Sequence, residues 1–234
     1  MSDWIDVKTP DGAFKAYVAK PAGAPRAAVV VIQEIFGVNA VMRGKADWLA
    51  REGYLAICPD LFWRIKPGIE LTDQTDAEWQ QAFDYMNALD KNASVNDIAA
   101  TLAQARDLSK DLGGPAKAGV LGYCMGGYIA FLAACRTDTD ASVAYHGGGI
   151  HTALDEAGGI KKPVLLHNPM KDGFIPVEAL NTIRETLKGN GLVKIYEYAG
   201  QDHAFTREGG KTYDAAATKI ADERTIEFLR SALG

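Results

Sequence analysis

Cysteine is scarce in this 234-residue chain, with three residues at positions 58, 124 and 135. They are too few and too scattered for a disulfide framework, and no Cys-x-x-Cys pair suggests structural zinc. The four histidines include no pair at the i, i+4 spacing of a helix face, so neither a metal site nor a cofactor is expected. Positive charge is in deficit, with 25 Lys and Arg against 30 Asp and Glu for a net charge of -5. That balance argues against a sequence-independent grip on nucleic acid or anionic lipid. No run of 18 apolar residues is present to span a membrane, and the polar opening "MSDWIDVKTPDG" has no basic region followed by an apolar stretch. Fixed-period repeats and low-complexity tracts are missing as well. These absences leave one globular domain over residues 1–234 that handles small molecules. It is expected in a reducing cytoplasm, as a monomer or small homo-oligomer.

What is present is alternation. Short apolar, β-branched runs occur at 27–34, 54–60, 117–124, 141–147, 163–169 and 193–199, each bounded by turn residues, and read as strands. Helix-period segments fall between them at 39–52, 94–112, 126–136, 177–189 and 212–232. Strands alternating with helices imply right-handed crossovers and an α/β fold, with a mostly parallel central sheet covered by helices on both faces. "FKAYVAKP" at 14–21 is expected as an antiparallel edge strand. The stretch 62–92 departs from the pattern. Trp63, Trp79 and Phe83 sit there among six acids between Glu70 and Asp90, and the segment reads as a partly helical cap over a pocket.

The stretch "GYCMGG" at 122–127 has the frame of a hydrolase nucleophile turn with cysteine in the reactive position. A strand precedes it and a helix follows, which is the context that makes the Gly-x-nucleophile-x-Gly pattern meaningful. The glycines are required because a strained turn and close helix-to-strand packing leave no room for β-carbons. Cys124 then lies at a helix start, where unpaired N–H groups favour negative charge. Cys58, inside an apolar run, and Cys135, late in a helix, read as packing residues.

A nucleophile, an acid and a histidine must follow in that order along the chain. Asp172 lies just past the strand at 163–169, and His203 just past the last strand. His203 would take the thiol proton and later activate water, while Asp172 would orient the imidazole. Asp202 competes for the orienting role but is disfavoured, because adjacent side chains diverge. His167 reads as a core histidine and His151 as solvated. Glu34, close behind an apolar strand, is expected to be buried and therefore to need a partner. The amides of Ile35 and Met125 are the expected oxyanion donors. Phe36, Tyr123, Tyr145 and His146 at the same sheet edge, with Trp79 from the cap, are expected to line the pocket.

Together "QEIFGV", "PDLF", "GYCMGG", "KDGFIP", "GQDHAF" and "ADERTIEFL" resemble the dienelactone hydrolase family of carboxymethylenebutenolidase-like enzymes, in the α/β-hydrolase superfamily, along nearly the whole chain. The resemblance implies an ester or lactone hydrolase with a Cys124–His203–Asp172 triad and a thioester intermediate. It further implies that Glu34 contacts the resting thiol and that Arg207 binds a substrate carboxylate. One feature departs from the family pattern: the second carboxylate-binding arginine is missing, since no Lys or Arg lies between Lys66 and Lys91. Trp79 stands nearest its position. The expected partner is a small ester or lactone, with or without a carboxylate. Two further readings stay open, a noncatalytic small-ligand binder on the same scaffold and a thiol redox enzyme using Cys124.

Overall fold

The computed structural model describes residues 2–234. Eight strands form one sheet: β1 (Ser2–Thr9), β2 (Gly12–Ala19), β3 (Ala28–Ile32), β4 (Leu55–Pro59), β5 (Ala118–Tyr123), β6 (Ser142–Tyr145), β7 (Val164–Pro169) and β8 (Val193–Tyr198). Their spatial order is β1-β2-β4-β3-β5-β6-β7-β8. Pairing is antiparallel for β1–β2 and β2–β4 and parallel from β4 through β8. Six α-helices, α1 (Ala40–Arg51), α2 (Asp76–Ala88), α3 (Lys91–Asp111), α4 (Met125–Arg136), α5 (Val177–Leu187) and α6 (Ala215–Leu233), and two short 3-10 helices, Ile150–Thr152 and Leu154–Gly159, complete the described residues' regular structure.

The central strands are buried along their whole length because helices cover both faces. Side chains divide between the faces with the strand's period of two. Ala28, Val30 and Ile32 of β3 join Ile98 and Leu102 of α3, Ile129 of α4 and Leu180 of α5 on one side. Val29 and Val31 join Met42 and Leu49 of α1 and Leu229 of α6 on the other. Helix starts are fixed locally: Asn39, Asp90 and Asp214 each cap a helix through their side-chain oxygens, accepting from Met42, from Asn92 and Ala93, and from Ala217.

One expectation is corrected. The strand at 14–21 is β2, which begins two residues earlier and lies inside the sheet; the edge belongs to β1, which pairs with it from Ser2↔Ala19 to Thr9↔Gly12. The 62–92 segment contains a 13-residue helix, α2, started by Thr75, whose side chain accepts from the Glu78 amide while the Glu78 carboxylate accepts from Thr72 and Thr75. No helix among the described residues is long and apolar enough to cross a membrane.

Candidate active site

Every parallel strand of the central sheet ends at one rim, the position where open α/β sheets place ligands. Glu34 and Ile35 follow β3, Cys124 follows β5, His146 follows β6, Asp172 follows β7 and His203 follows β8. Cys124 has φ 54° and ψ -118°, a strained combination for a side-chain-bearing residue. Two glycines make that turn possible. A β-carbon on Gly122 would lie 2.0 Å from the Gly126 carbonyl oxygen, and one on Gly126 would lie 2.3 Å from that of Ile32.

The Cys124 backbone N–H is shared between the Tyr145 carbonyl and His146 Nδ1, each at 3.1 Å. His146 Nδ1 is therefore an acceptor, and its ring is neutral with the proton on Nε2. Burial, then His203 and other nearby cations, push the His146 pKa well down, so it stays in that form. His146 itself has φ 40° and Ala204, after His203, has φ 58°. These two and Cys124 are the positive-φ residues other than glycine in the described chain, and all three stand at this rim.

His203 Nδ1 is 2.8 Å from Asp172 Oδ2, and the Asp172 side chain is fully buried. The other Asp172 oxygen accepts from the Phe174 and Ile175 amides at 2.8 and 2.9 Å. Each carboxylate oxygen thus has its own assigned donors. The Cys124 thiol lies against the same imidazole. Burial alone would lower the His203 pKa, but Cys124 and Asp172 together outweigh it and raise the value to about 10. Asp202 does not orient the ring. It accepts from the Gly173 and His203 amides at 2.8 and 2.6 Å and ties the two loops together.

Cys124 is partly exposed on a cavity of about 380 Å³ that also includes Ile35, Trp79, Phe83, Met125, Phe174, His203 and Arg207 in its lining. A more open hollow of about 910 Å³ lies over Lys20, Arg26 and Arg51 and holds none of these reactive groups. Among the described residues, the Ile35 and Met125 amides make no hydrogen bond, so both are available to a developing oxyanion. Cys58 is fully buried, which drives its thiol pKa far up. Burial likewise raises Cys135 to about 12.

Glu34 and Arg207 form a buried bidentate pair, with Nε to Oε2 and Nη2 to Oε1 both at 2.8 Å. Arg207 also donates to Asp73 Oδ2 at 3.0 Å from Nη1. Both Glu34 oxygens are therefore occupied by Arg207, rather than by the thiol as the family pattern implied. Burial opposes the Arg207 charge, but Glu34 more than restores it and the guanidinium pKa is raised.

Four of the expected pocket residues do not line the cavity. Tyr123 and Tyr145 are paired across β5 and β6, stack at 4.7 Å, and point into the core beneath α1 and α6. The strand's period of two sends them to the opposite face. The Tyr145 hydroxyl bonds Asp222 and Thr225 there. His146 is fully buried behind His203, their ring centroids 4.6 Å apart. Phe36 is buried under both Trp79, at 5.0 Å, and the Arg207 guanidinium, at 4.9 Å. His167 is a core residue bonded to Tyr198 and Thr225, with burial lowering its pKa to about 3, and His151 is exposed. Two further residues of the site were not singled out from sequence. Phe174, 58% exposed, stacks on Trp79 at 6.0 Å and packs edge-on to His203 at 5.0 Å. Asp73 reaches Arg207 across 134 positions of sequence, and no local pattern signals such a contact.

A sequence profile of the Dienelactone hydrolase family matches residues 14–233. The carboxymethylenebutenolidase of Pseudomonas putida is 37% identical over 230 residues, 98% of this chain and 96% of that one. A protein of Azospirillum brasilense that carries the same name provisionally is 44% identical over 225 residues, 96% of each chain. A crystal structure from Klebsiella pneumoniae, provisionally a dienelactone hydrolase, superposes with a TM-score of 0.82 at 27% identity and covers 97% of each chain.

Proposed function

The chain belongs to the dienelactone hydrolase family, a family of ester and lactone hydrolases, and we propose that it cleaves its substrate through a thioester on Cys124. The observation that carries this reading is the Cys124 thiol set in a positive-φ turn against His203, whose far nitrogen lies 2.8 Å from a buried carboxylate. In the first step Cys124 Sγ adds to the ester carbonyl carbon while His203 holds the proton the thiol gives up. The carbonyl oxygen takes up the negative charge facing the Ile35 and Met125 amides. Collapse of that intermediate breaks the carbon–oxygen bond, and the leaving alcohol or lactone oxygen takes the proton from His203. A water then loses a proton to His203 and attacks the thioester, which releases the acid and returns the thiol.

Trp79, Phe83 and Phe174 give the cavity an aromatic wall suited to small planar or apolar substrates. His146 acts as a positioning residue, because its neutral Nδ1 holds the amide of the nucleophile itself. The test is hydrolysis of a short-chain 4-nitrophenyl ester by wild type and Cys124→Ala, with mass spectrometry of acid-quenched wild type. The expected result is complete loss of turnover in the variant and an acyl adduct on Cys124. Retained turnover in Cys124→Ala overturns the mechanism.

A further inference from the structure

The charges around Arg207 do not balance. Its guanidinium is 8% exposed and sits between two carboxylates, with Glu34 along one edge and Asp73 Oδ2 3.0 Å from Nη1. The Phe36 ring covers one face at 4.9 Å. Two negative groups thus flank the one guanidinium that lines an otherwise largely apolar cavity. A substrate carboxylate arriving there finds the positive charge already spent. It must displace Asp73 or stand beside it, and like charges at a partly buried site are costly.

Asp73 is also held in place from its own side. Its other oxygen accepts from Gln74 at 2.6 Å, and its backbone carbonyl accepts from the indole N–H of Trp79 at 3.1 Å. The segment that leads into α2 therefore brings one apolar ring to the cavity and one carboxylate to the arginine that lines it. That segment supplies no cation, since none lies between Lys66 and Lys91. Lys91, the one lysine of the lining, is exposed, where solvent and salt weaken its pull.

We propose that Asp73 is a built-in occupant of the anion position on Arg207, and that it selects esters and lactones uncharged where they meet that residue. The proposal rests on the hydrolase reading above and names the substrate class for the same site. The test compares two 4-nitrophenyl esters of equal acyl length, the neutral butyrate and the anionic hemisuccinate, in wild type, Asp73→Asn and Asp73→Glu. In wild type the ratio of kcat/KM for hemisuccinate to that for butyrate is expected well below one. In Asp73→Asn the ratio is expected to rise about tenfold, mainly through a lower KM for hemisuccinate, as one like charge leaves the site. Asp73→Glu is expected to keep the ratio low.

A wild-type ratio of one or more overturns the proposal even without a folded variant, and so does a ratio that Asp73→Asn leaves unchanged. Butyrate turnover that vanishes in Cys124→Ala upholds the hydrolase reading whatever the ratio does, so the two readings can fail separately.

Discussion

Asp172 spends both of its oxygens, and this makes the site sensitive to a change of a single atom. Oδ2 faces His203 Nδ1 at 2.8 Å, and Oδ1 accepts two backbone amides. In Asp172→Asn the amide NH2 must point at one of these two donor sets. If it faces the loop amides, a buried donor meets two donors. If it faces His203, the imidazole must turn its Nδ1 into an acceptor, which moves the proton to the nitrogen needed to receive the thiol proton. The first arrangement breaks the loop contacts that hold the side chain against His203, and the second puts the imidazole proton on the wrong nitrogen, so both weaken the base. Hydrolysis of a short-chain aryl ester is expected to fall in kcat by at least about 10²-fold, the usual share of a positioned general base. Steady-state kinetics checks this, and an unchanged kcat would remove Asp172 from the mechanism.

Among the elements, α2 carries little of the core and much of the cavity. Only Ala82 of its 13 residues is fully buried, while Trp79 lies against Phe36, Phe83 and Phe174 at 5.0, 5.6 and 6.0 Å. Trp79→Ala is expected to raise KM for aryl esters about tenfold, the scale of one lost aromatic contact plus its buried area, with a smaller change in kcat. A KM equal to wild type would place the substrate elsewhere. The thin burial of α2 also explains why it was hard to read as a helix from sequence: apolar periodicity is weak where a helix covers a cavity, and the surviving signal was Thr75 with Glu78 three residues later. β1 was obscured differently. One of its faces is covered and the other exposed, so Ile5 and Val7 alternate with polar Asp6 and Lys8 in what resembles a plain polar terminus. The interior strands were legible because burial on both faces leaves continuous apolar runs. Cys124 was legible for a related reason, since it directly follows such a run, while Asp172 and His203 were legible from their places in the loops just past β7 and β8. Phe174 and Asp73 come from loops whose direction no periodicity encodes, and Tyr123 and Tyr145 show that being at a strand end does not fix which face a side chain takes.

The whole molecule holds three buried histidines that couple its stability to pH in opposite directions. His146 and His167 are kept neutral by burial, with His167 lowered to about 3. In the unfolded chain a histidine titrates near 6.5. Below that value the unfolded chain binds protons that the fold refuses, so this part of the stability is present above about pH 6.5 and is lost as pH falls toward 3. His203 works the other way. Burial lowers its proton affinity, yet Cys124 and Asp172 outweigh burial and raise its pKa to about 10. Its contribution is therefore complete below about pH 6.5 and is lost as pH rises through 10. These histidines give a dome of stability with its summit near the unfolded histidine value. Thermal melts of wild type, His167→Gln and His203→Gln from about pH 4 to 10 separate the arms, because surface carboxylates contribute equally to all three proteins. The acid arm is expected to flatten in His167→Gln, where the amide can still bond Tyr198 and Thr225, and the alkaline arm in His203→Gln. If His203→Gln loses stability between pH 7 and 10 as steeply as wild type, the raised proton affinity of His203 is not what couples the site to the fold.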